Sequence, residues 1–214
     1  MILALETSTP NASLALWDES RKELVWSSTF HTDRSHNSVI FQPVEEALEK
    51  CDRKLDAVAV GLGPGSYSGV RVGIAVANGL AISLGTRALG LSSLEAYLPG
   101  CSNYLVIGDA RRNTGFIASI REGKLQGEPE LIEMEPFAEK LQSARSGNLP
   151  VVTPDKKMAD QFDDVTLTQP VAELIARKAA TIISTEGCEE ISPPLEPHYL
   201  RPPFITKPKK KKAP

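Results

Sequence analysis

The sequence has little of what metal centres and disulfide frameworks require. Its 214 residues include 3 cysteines and 3 histidines. Cys51, Cys101 and Cys188 are far apart and odd in number, so they form neither a zinc pattern nor a disulfide framework, and we expect the reduced thiols typical of the cytoplasm. His31 and His36 are separated by a loop-like stretch, whereas most metal sites need three or four ligands. The sequence therefore predicts no metal site and no cofactor.

Long apolar runs are also missing. No uninterrupted run reaches the roughly 18–20 residues that a membrane-spanning helix needs. The nearest candidate, residues 70–84, is too short and too rich in small residues. Residues 1–6 enter a strand pattern directly, without the basic and apolar regions of a signal peptide. We therefore predict a cytoplasmic protein without a membrane segment.

Negative charge outnumbers positive charge outside the C-terminal end. The net charge is −3, and residues 207 and 209–212 supply five lysines, so the body without them carries −3 − 5 = −8. An acidic body is not typical of a stand-alone RNA-binding protein, because neutralising phosphates dominates such binding. The lysine tail is interpreted as a solvated segment, with contact to RNA as the alternative.

Residues 58–85 organise the chain. They read as a buried strand, a glycine-rich loop that cannot be regular structure, and an apolar helix ending at Gly85. Small residues recur every four positions along one side of this helix, and they would let another helix approach closely. They are Gly69, Gly73, Ala77 and Ala81. Two interpretations stay open: this stripe docks a partner, or it packs on the protein's own sheet.

The remaining pattern predicts an α/β protein. Residues 2–17 form a hairpin with a polar turn, residues 24–30 a strand, and residues 36–50 a helix that Pro43 kinks or restarts. A short strand at 87–91 precedes a helix beginning at Ser92, with Ser92 and Glu95 at capping-box spacing. Later elements are a hairpin at 103–121, a strand at 130–133, a helix at 136–146, a strand at 149–153 and an amphipathic helix at 170–184. Prolines exclude regular structure from 193 onwards.

The loop and the start of the helix, Gly63 to Gly73, resemble the signature of the TsaB (YeaZ) family. The segments Asp109-Ala110-Arg111 and Pro197-His198-Tyr199-Leu200-Arg201 are similar to the family as well. The resemblance implies an actin-like (ASKHA, ribonuclease H-like) fold of two lobes with mixed sheets and a degenerate second lobe. It implies a first lobe at 1–100, a reduced second lobe at 101–192, and a proline-rich strap with a basic tail at 193–214.

The resemblance also implies a function. Proteins of this family are subunits of the bacterial machinery for tRNA N6-threonylcarbamoyladenosine, so we expect a non-catalytic scaffold that binds and activates TsaD. TsaE would be reached through the complex, tRNA would be contacted indirectly, and a homodimer would use the same helices. Arg71 is a candidate to order the loop or contact the partner. The expected interface comprises Val39, Ile40, Pro43, Val44, Ala47, Gly69, Arg71, Gly73, Ala77 and Ala81.

An enzyme is the alternative: a small actin-like ATPase, a sugar kinase or a glycoprotease. In actin-like proteins two hairpin turns approach the nucleotide, which makes Glu6, Thr7, Gly63, Gly65, Ser66 and Asp109 candidate nucleotide-binding residues. The family has aspartate where this chain has Glu6. Hydroxyls in such turns also serve local hydrogen bonds, and no Lys-Ser/Thr follows the loop as in a P-loop. No catalytic residue is predicted.

Overall fold

The first sheet contains the N-terminal strand. Apolar residues lie on both sides of its central strands. The computed structural model describes residues 1–32, 37–145, 147–186 and 194–201. The sheet has the order β3-β2-β1-β4-β5, in which β1 is antiparallel to β2 and parallel to β4. Its strands are β1 Ile2–Glu6, β2 Asn11–Asp18, β3 Glu23–His31, β4 Ala57–Gly61 and β5 Arg87–Leu91.

Helices cover both faces of this sheet. α1 (Phe41–Lys50), after a 3-10 turn at Asn37–Ile40, and α2 (Tyr67–Leu84) pack on the face that carries Leu3 and Leu5. α5 (Ala172–Glu186) packs on the other face, against Ile2 and Ala4. Successive strand residues point to opposite faces, so a continuous apolar run is what a sheet covered twice requires.

The second sheet has the order β11-β10-β6-β7-β8, with β9 paired to β7. β6 and β7 form an antiparallel hairpin, and β10 runs parallel to β6. Two helices accompany this sheet, α3 (Phe137–Ala144) and α4 (Lys156–Gln161). The strands are β6 Tyr104–Asp109, β7 Thr114–Arg121, β8 Lys124–Leu125, β9 Glu130–Glu133, β10 Val151–Thr153 and β11 Val165–Leu167.

The predicted α/β class with two mixed sheets is confirmed, and two details differ. The helix expected from Ser92 is a single 3-10 turn, Ser93–Glu95, and Glu95 instead pairs with Lys178. α5 packs on the first sheet, although the sequence placed it in the second half, because its apolar side matches the open back of that sheet. Pro43 lies in the first turn of α1, where a missing donor costs little. The start predicted at His36 and the tail at 202–214 lie outside the described residues.

Candidate functional site

The glycine loop is pressed against the β1–β2 turn. The Ser66 amide donates to the carbonyl of Ser8 over 2.6 Å, and Thr7 Oγ1 donates to the carbonyl of Gly69 over 2.9 Å. A Cβ on Gly65 would lie 2.2 Å from the Ser8 carbonyl oxygen, and one on Gly69 would lie 2.2 Å from that of Thr7. These glycines are therefore explained by close approach of two backbones within the chain.

Gly73 continues the same contact along α2. Its Cβ would lie 2.3 Å from Thr7 Oγ1. Ala77 and Ala81 are buried, and Ala77 belongs to the core beneath the first sheet. The stripe of small residues thus packs on the protein's own sheet, so the interpretation of Gly69, Gly73, Ala77 and Ala81 as a docking face is wrong. Thr7 and β4 fill the space that the small side chains leave.

Most of the interface predicted on α1 is buried as well. Ile40, Pro43, Val44 and Ala47 lie in the core beside α2, so their placement in a docking surface is also wrong. They recur at helical spacing because they hold α1 on the first sheet. Val39 is exposed, and so is Phe41, whose side chain is 62% accessible. The apolar periodicity in this segment therefore marked the core side of the helix.

α2 presents a second set of apolar residues to solvent. Ala75, Gly79 and Ile82 share one side of the helix, and Ile82 is 84% exposed. No described atom lies within 4 Å of the position that a Cβ on Gly79 would take. We call these three residues the outward face of α2. The exposed Arg71 lies one turn before it and is the only charged residue in the helix.

The apolar character of α2 raises the question of a membrane. Among the described residues it is the one helix that is long and apolar enough to cross a bilayer, judged only by length and composition. Buried core helices pass the same test, and Val70, Gly73, Ile74, Ala77 and Ala81 are buried in this fold. What distinguishes α2 from an ordinary core helix is that its outward face is apolar too.

Glu6 lies inside the first lobe. Its side chain is 1% exposed, and its Oε1 accepts from the Ser8 amide over 2.7 Å. Oε2 has no hydrogen-bond partner among the described residues and would lie 2.0 Å from a Cβ on Gly61. Burial raises the pKa of this carboxyl, and the hydrogen bonds from Ser8 oppose that shift. The neutral form of this carboxyl is therefore more favoured in the fold than it is in water.

A cleft of about 770 Å³ separates the two lobes. The glycine loop, the β6–β7 turn, the start of α4 and residues 198–201 line it. Of the predicted nucleotide-binding residues, Gly65, Ser66 and Asp109 line this cleft, whereas Glu6, Thr7 and Gly63 do not. Glu6 and Asp109 therefore do not face one cleft, because Glu6 points into the first lobe beneath the turn.

The remaining candidates in the cleft serve local structure. Asp109 Oδ1 accepts from the Arg111 amide over 2.6 Å, and Oδ2 lies 3.4 Å from the Arg111 guanidinium. Ser66 Oγ accepts from the Gly69 amide over 3.3 Å as the N-cap of α2. Gly63, which does not line the cleft, exchanges two hydrogen bonds with Ser93. No three metal-ligating side chains converge in the part of the chain that the structure describes.

The segment at 194–201 crosses from one lobe to the other; we call it the strap. Leu195 packs on the core of the first lobe, and Leu200 packs on the cluster beneath the second sheet. The His198 amide donates to the carbonyl of Leu62 over 2.9 Å. Tyr199 stacks on Tyr67 at the start of α2 with ring centroids 5.4 Å apart. The resemblance implies a proline-rich strap in this part of the chain, and Tyr199 and Leu200 anchor the described part of it.

Comparison with protein families gives one match that covers most of the chain. The model of the family described as "TsaD: tRNA N6-adenosine threonylcarbamoyltransferase" matches residues 30–172. Among curated proteins, the "tRNA threonylcarbamoyladenosine biosynthesis protein TsaB" of Haemophilus influenzae is 31% identical over 136 residues, which cover 59% of this chain and 56% of that protein. The protein of the same description from Escherichia coli is 34% identical over 102 residues, covering 46% and 43%. The chain spans about half the length of these relatives.

Solved structures agree on the fold. A Pseudomonas aeruginosa protein described as similar to peptidase YeaZ superposes with a TM-score of 0.71 at 24% identity, covering 94% of this chain and 99% of that one. YeaZ from the same organism superposes with a TM-score of 0.70 at 24% identity, covering 88% and 94%. At this identity the likeness establishes the two-lobed architecture and leaves the function to other observations.

Proposed function

Because the chain belongs to the family of the threonylcarbamoyltransferase TsaD and, within it, to the TsaB (YeaZ) group, we propose that it is a non-catalytic partner subunit in tRNA N6-threonylcarbamoyladenosine biosynthesis. In this role it binds a TsaD-type subunit, which carries out the transfer. TsaE is reached through the complex, and tRNA is contacted indirectly. The work takes place in the cytoplasm, where tRNA is modified.

The outward face of α2 is the observation that carries this proposal. Its 18 residues include a single charge, and both sides of the helix are apolar. Ala75 and Gly79 are spaced by four on the exposed side, so a partner helix could approach as closely there as the sheet does on the inner side. An exposed apolar stripe of this kind is typical of an interface. Val39 and Arg71 stay in the proposed docking surface.

The environments of the two turn carboxylates support a role without chemistry. Glu6 is enclosed in the first lobe and does not line the cleft, and Asp109, which does line it, bonds to its own turn. Ser66 is engaged as a helix cap. These contacts favour a structural role of the two turns, in which they stabilise the fold, over a catalytic role of their carboxylates.

The experiment compares two charged substitutions at exposed apolar sites. Ile82→Asp places a carboxylate on the outward face of α2, and Leu167→Asp places one on β11 in the second sheet. Ile82→Asp should weaken binding to the purified TsaD subunit at least about 30-fold, as expected for an interface hot spot. Both variants should melt like the wild type, because both side chains are exposed.

Isothermal titration measures the affinity, and size-exclusion chromatography shows the complex. Equal affinities of the wild type and Ile82→Asp would exclude the outward face as the docking site. The chain alone, measured by light scattering, tests whether a second copy occupies the same face when TsaD is absent. Loss of such a dimer on Ile82→Asp would identify homodimer and heterodimer as alternatives on one surface.

Nucleotide binding in the cleft is the second candidate. The volume of about 770 Å³ accommodates a small ligand, and the first residues of α2 line the cleft. Amide donors at a helix N-terminus favour anions. Titration of the isolated chain with ADP and ATP, followed by an assay for hydrolysis, separates a bound nucleotide from an ATPase.

A further inference from the structure

Three large side chains form an exposed cluster at the start of α2. Tyr67 and Tyr199 stack with an interplanar angle of 22°, and the Arg71 guanidinium lies 5.1 Å from the centroid of the Tyr67 ring. Arg71 donates to the Tyr67 hydroxyl over 2.6 Å and to that of Tyr199 over 3.5 Å. We call these residues the tyrosine–arginine cluster. Two of them belong to α2, and the third comes from the strap, 128 residues beyond Arg71.

The strap holds Tyr199 in place from both sides. Before it, the His198 amide bonds to Leu62 in the glycine loop, and after it, Leu200 is packed in the second lobe. Tyr199 therefore reaches α2 at a fixed point between two anchors. The position of the Tyr199 ring therefore does not depend only on its stacking against Tyr67.

The cluster contributes little to the core. Tyr67 remains 56% exposed and Tyr199 42% exposed, so their rings bury only part of their apolar area. Tyrosine and arginine are enriched among the residues that dominate binding at protein interfaces. Side chains already fixed in one conformation lose less entropy when a partner binds. An ordered but exposed group of this composition has the properties of a preformed binding anchor.

The charge of the cluster indicates what it binds. None of the ion pairs among the described residues includes Arg71, so its charge has tyrosine partners but no carboxylate. Arg71 lies four residues before Ala75 and is continuous with the outward face of α2. A partner that covers this face would meet the guanidinium at its edge, where an acidic side chain completes the pairing.

We propose that the tyrosine–arginine cluster receives an acidic side chain of the TsaD-type partner, which makes the C-terminal strap part of the docking surface. This inference rests on the proposed function. The occupant is one carboxylate-bearing segment next to the helix that covers Ala75, Gly79 and Ile82. Tyr199 supplies ring surface, and Arg71 supplies the charge.

The test measures the affinity of the full-length chain for the purified TsaD subunit at two salt concentrations. Tyr199→Ala and Arg71→Gln should each weaken binding about 10-fold or more, in the range of interface hot spots. Tyr199→Phe keeps the stacked ring and should bind within about threefold of the wild type. Because the pairing is electrostatic, raising the salt concentration should lower the affinity of the wild type for TsaD more than it lowers the affinity of Arg71→Gln.

Two controls separate binding from folding. Leu167→Ala removes an exposed apolar side chain of similar accessibility on the second sheet and should bind like the wild type. Hydrogen exchange at the His198 amide reports whether the strap stays seated in Tyr199→Ala. Arg71→Gln removes one contact to Tyr199 but leaves the anchors at His198 and Leu200 in place, so its loss of affinity stands even if Tyr199→Ala releases the strap.

The outcomes distinguish this inference from the function on which it rests. If the wild type binds TsaD and Ile82→Asp does not, but Tyr199→Ala and Arg71→Gln both bind normally, the cluster is not an anchor and the proposed function stands. If the wild type itself does not bind TsaD, the proposed function fails. If the two cluster variants instead abolish self-association of the chain and leave TsaD binding intact, the occupant is a second copy and this inference is wrong.

Discussion

Two hairpin turns of this protein, β1–β2 and β6–β7, are both rich in polar residues and lie in opposite environments. In the first, between β1 and β2, Thr7, Ser8 and Thr9 are all buried beneath the glycine loop. In the second, between β6 and β7, Arg111 and Arg112 are exposed, and both adopt positive φ, 67° and 54°. One turn is a packing surface and the other is an exposed loop tip.

The difference shows why the role of a carboxylate beside a turn cannot be inferred from the residues next to it in the sequence. Glu6 ends β1 and Asp109 ends β6, so the two occupy matching places in their hairpins. Three glycines lie against the first turn, and burial keeps Glu6 away from water. Asp109 faces the cleft and bonds to its own turn. The environment comes from what packs on the turn, which is α2 in one case and solvent in the other.

Gly69→Ala gives the largest expected effect, because it removes the close approach that buries the first turn. The new methyl group would lie 2.2 Å from the Thr7 carbonyl oxygen, which is backbone and cannot move aside. We expect a loss of about 3 kcal/mol in the free energy of unfolding, at the upper end of ordinary overpacking. Urea denaturation measures it.

Gly79→Ala is the matched control on the same helix. Its Cβ meets open space, so the better helix propensity of alanine should stabilise the protein by about 0.5–1 kcal/mol. Equal effects of the two substitutions would mean that the contact between α2 and the first turn does not restrict side-chain size.

Glu6→Gln tests the burial of the carboxyl through pH. The raised pKa means that the folded protein binds more protons than the unfolded chain between about pH 4.3, the ordinary glutamate value, and the folded pKa. Wild-type stability should therefore fall relative to the variant as pH rises through this window, and the difference should stay constant above it. Glutamine retains an oxygen for the Ser8 amide.

Thermal melts of both proteins from pH 4 to 8 provide the measurement. Every other titrating group is shared, so it cancels in the difference between the two proteins. A difference that does not change with pH would show that the pKa of Glu6 is not raised in the folded protein.

Asp109→Asn should have the smallest effect. The side chain is exposed, and asparagine keeps an oxygen that can accept from the Arg111 amide. We expect the free energy of unfolding to change by no more than about 0.5 kcal/mol, as at most surface positions. The same variant checks the enzyme alternative, because ATP hydrolysis by the isolated chain that disappears with Asp109→Asn would assign this turn a catalytic role.

The order of the main elements could be predicted from the sequence, but the orientation of the central helix could not. The pattern placed α2 and its end at Gly85 correctly. It did not indicate which side faces the sheet, because small apolar residues occupy both sides of the helix. One signal was available: Gly65 in the loop continues the spacing of Gly69 and Gly73, which points to a contact with the chain itself. Arg71, as the lone charge, marks the opposite side.

Short elements and distant contacts escaped prediction for separate reasons. β8, β11 and α4 contain two, three and six residues, too few to display a period. The periodicity of α5 predicted an apolar side but not the sheet that it covers, since strands β1 and β2 lie more than 150 residues away, as in the bond from the Ala172 amide to Ser13 Oγ. The cluster of Tyr67 and Tyr199 depends on a similar long-range contact.

The position of α5 determines when this protein can complete its fold during synthesis. The strands made first leave the ribosome with Ile2, Ala4 and Trp17 uncovered, and the helix that shields them follows more than 150 residues later. The first sheet must therefore wait, with one side open to water or to a chaperone, until α5 has emerged.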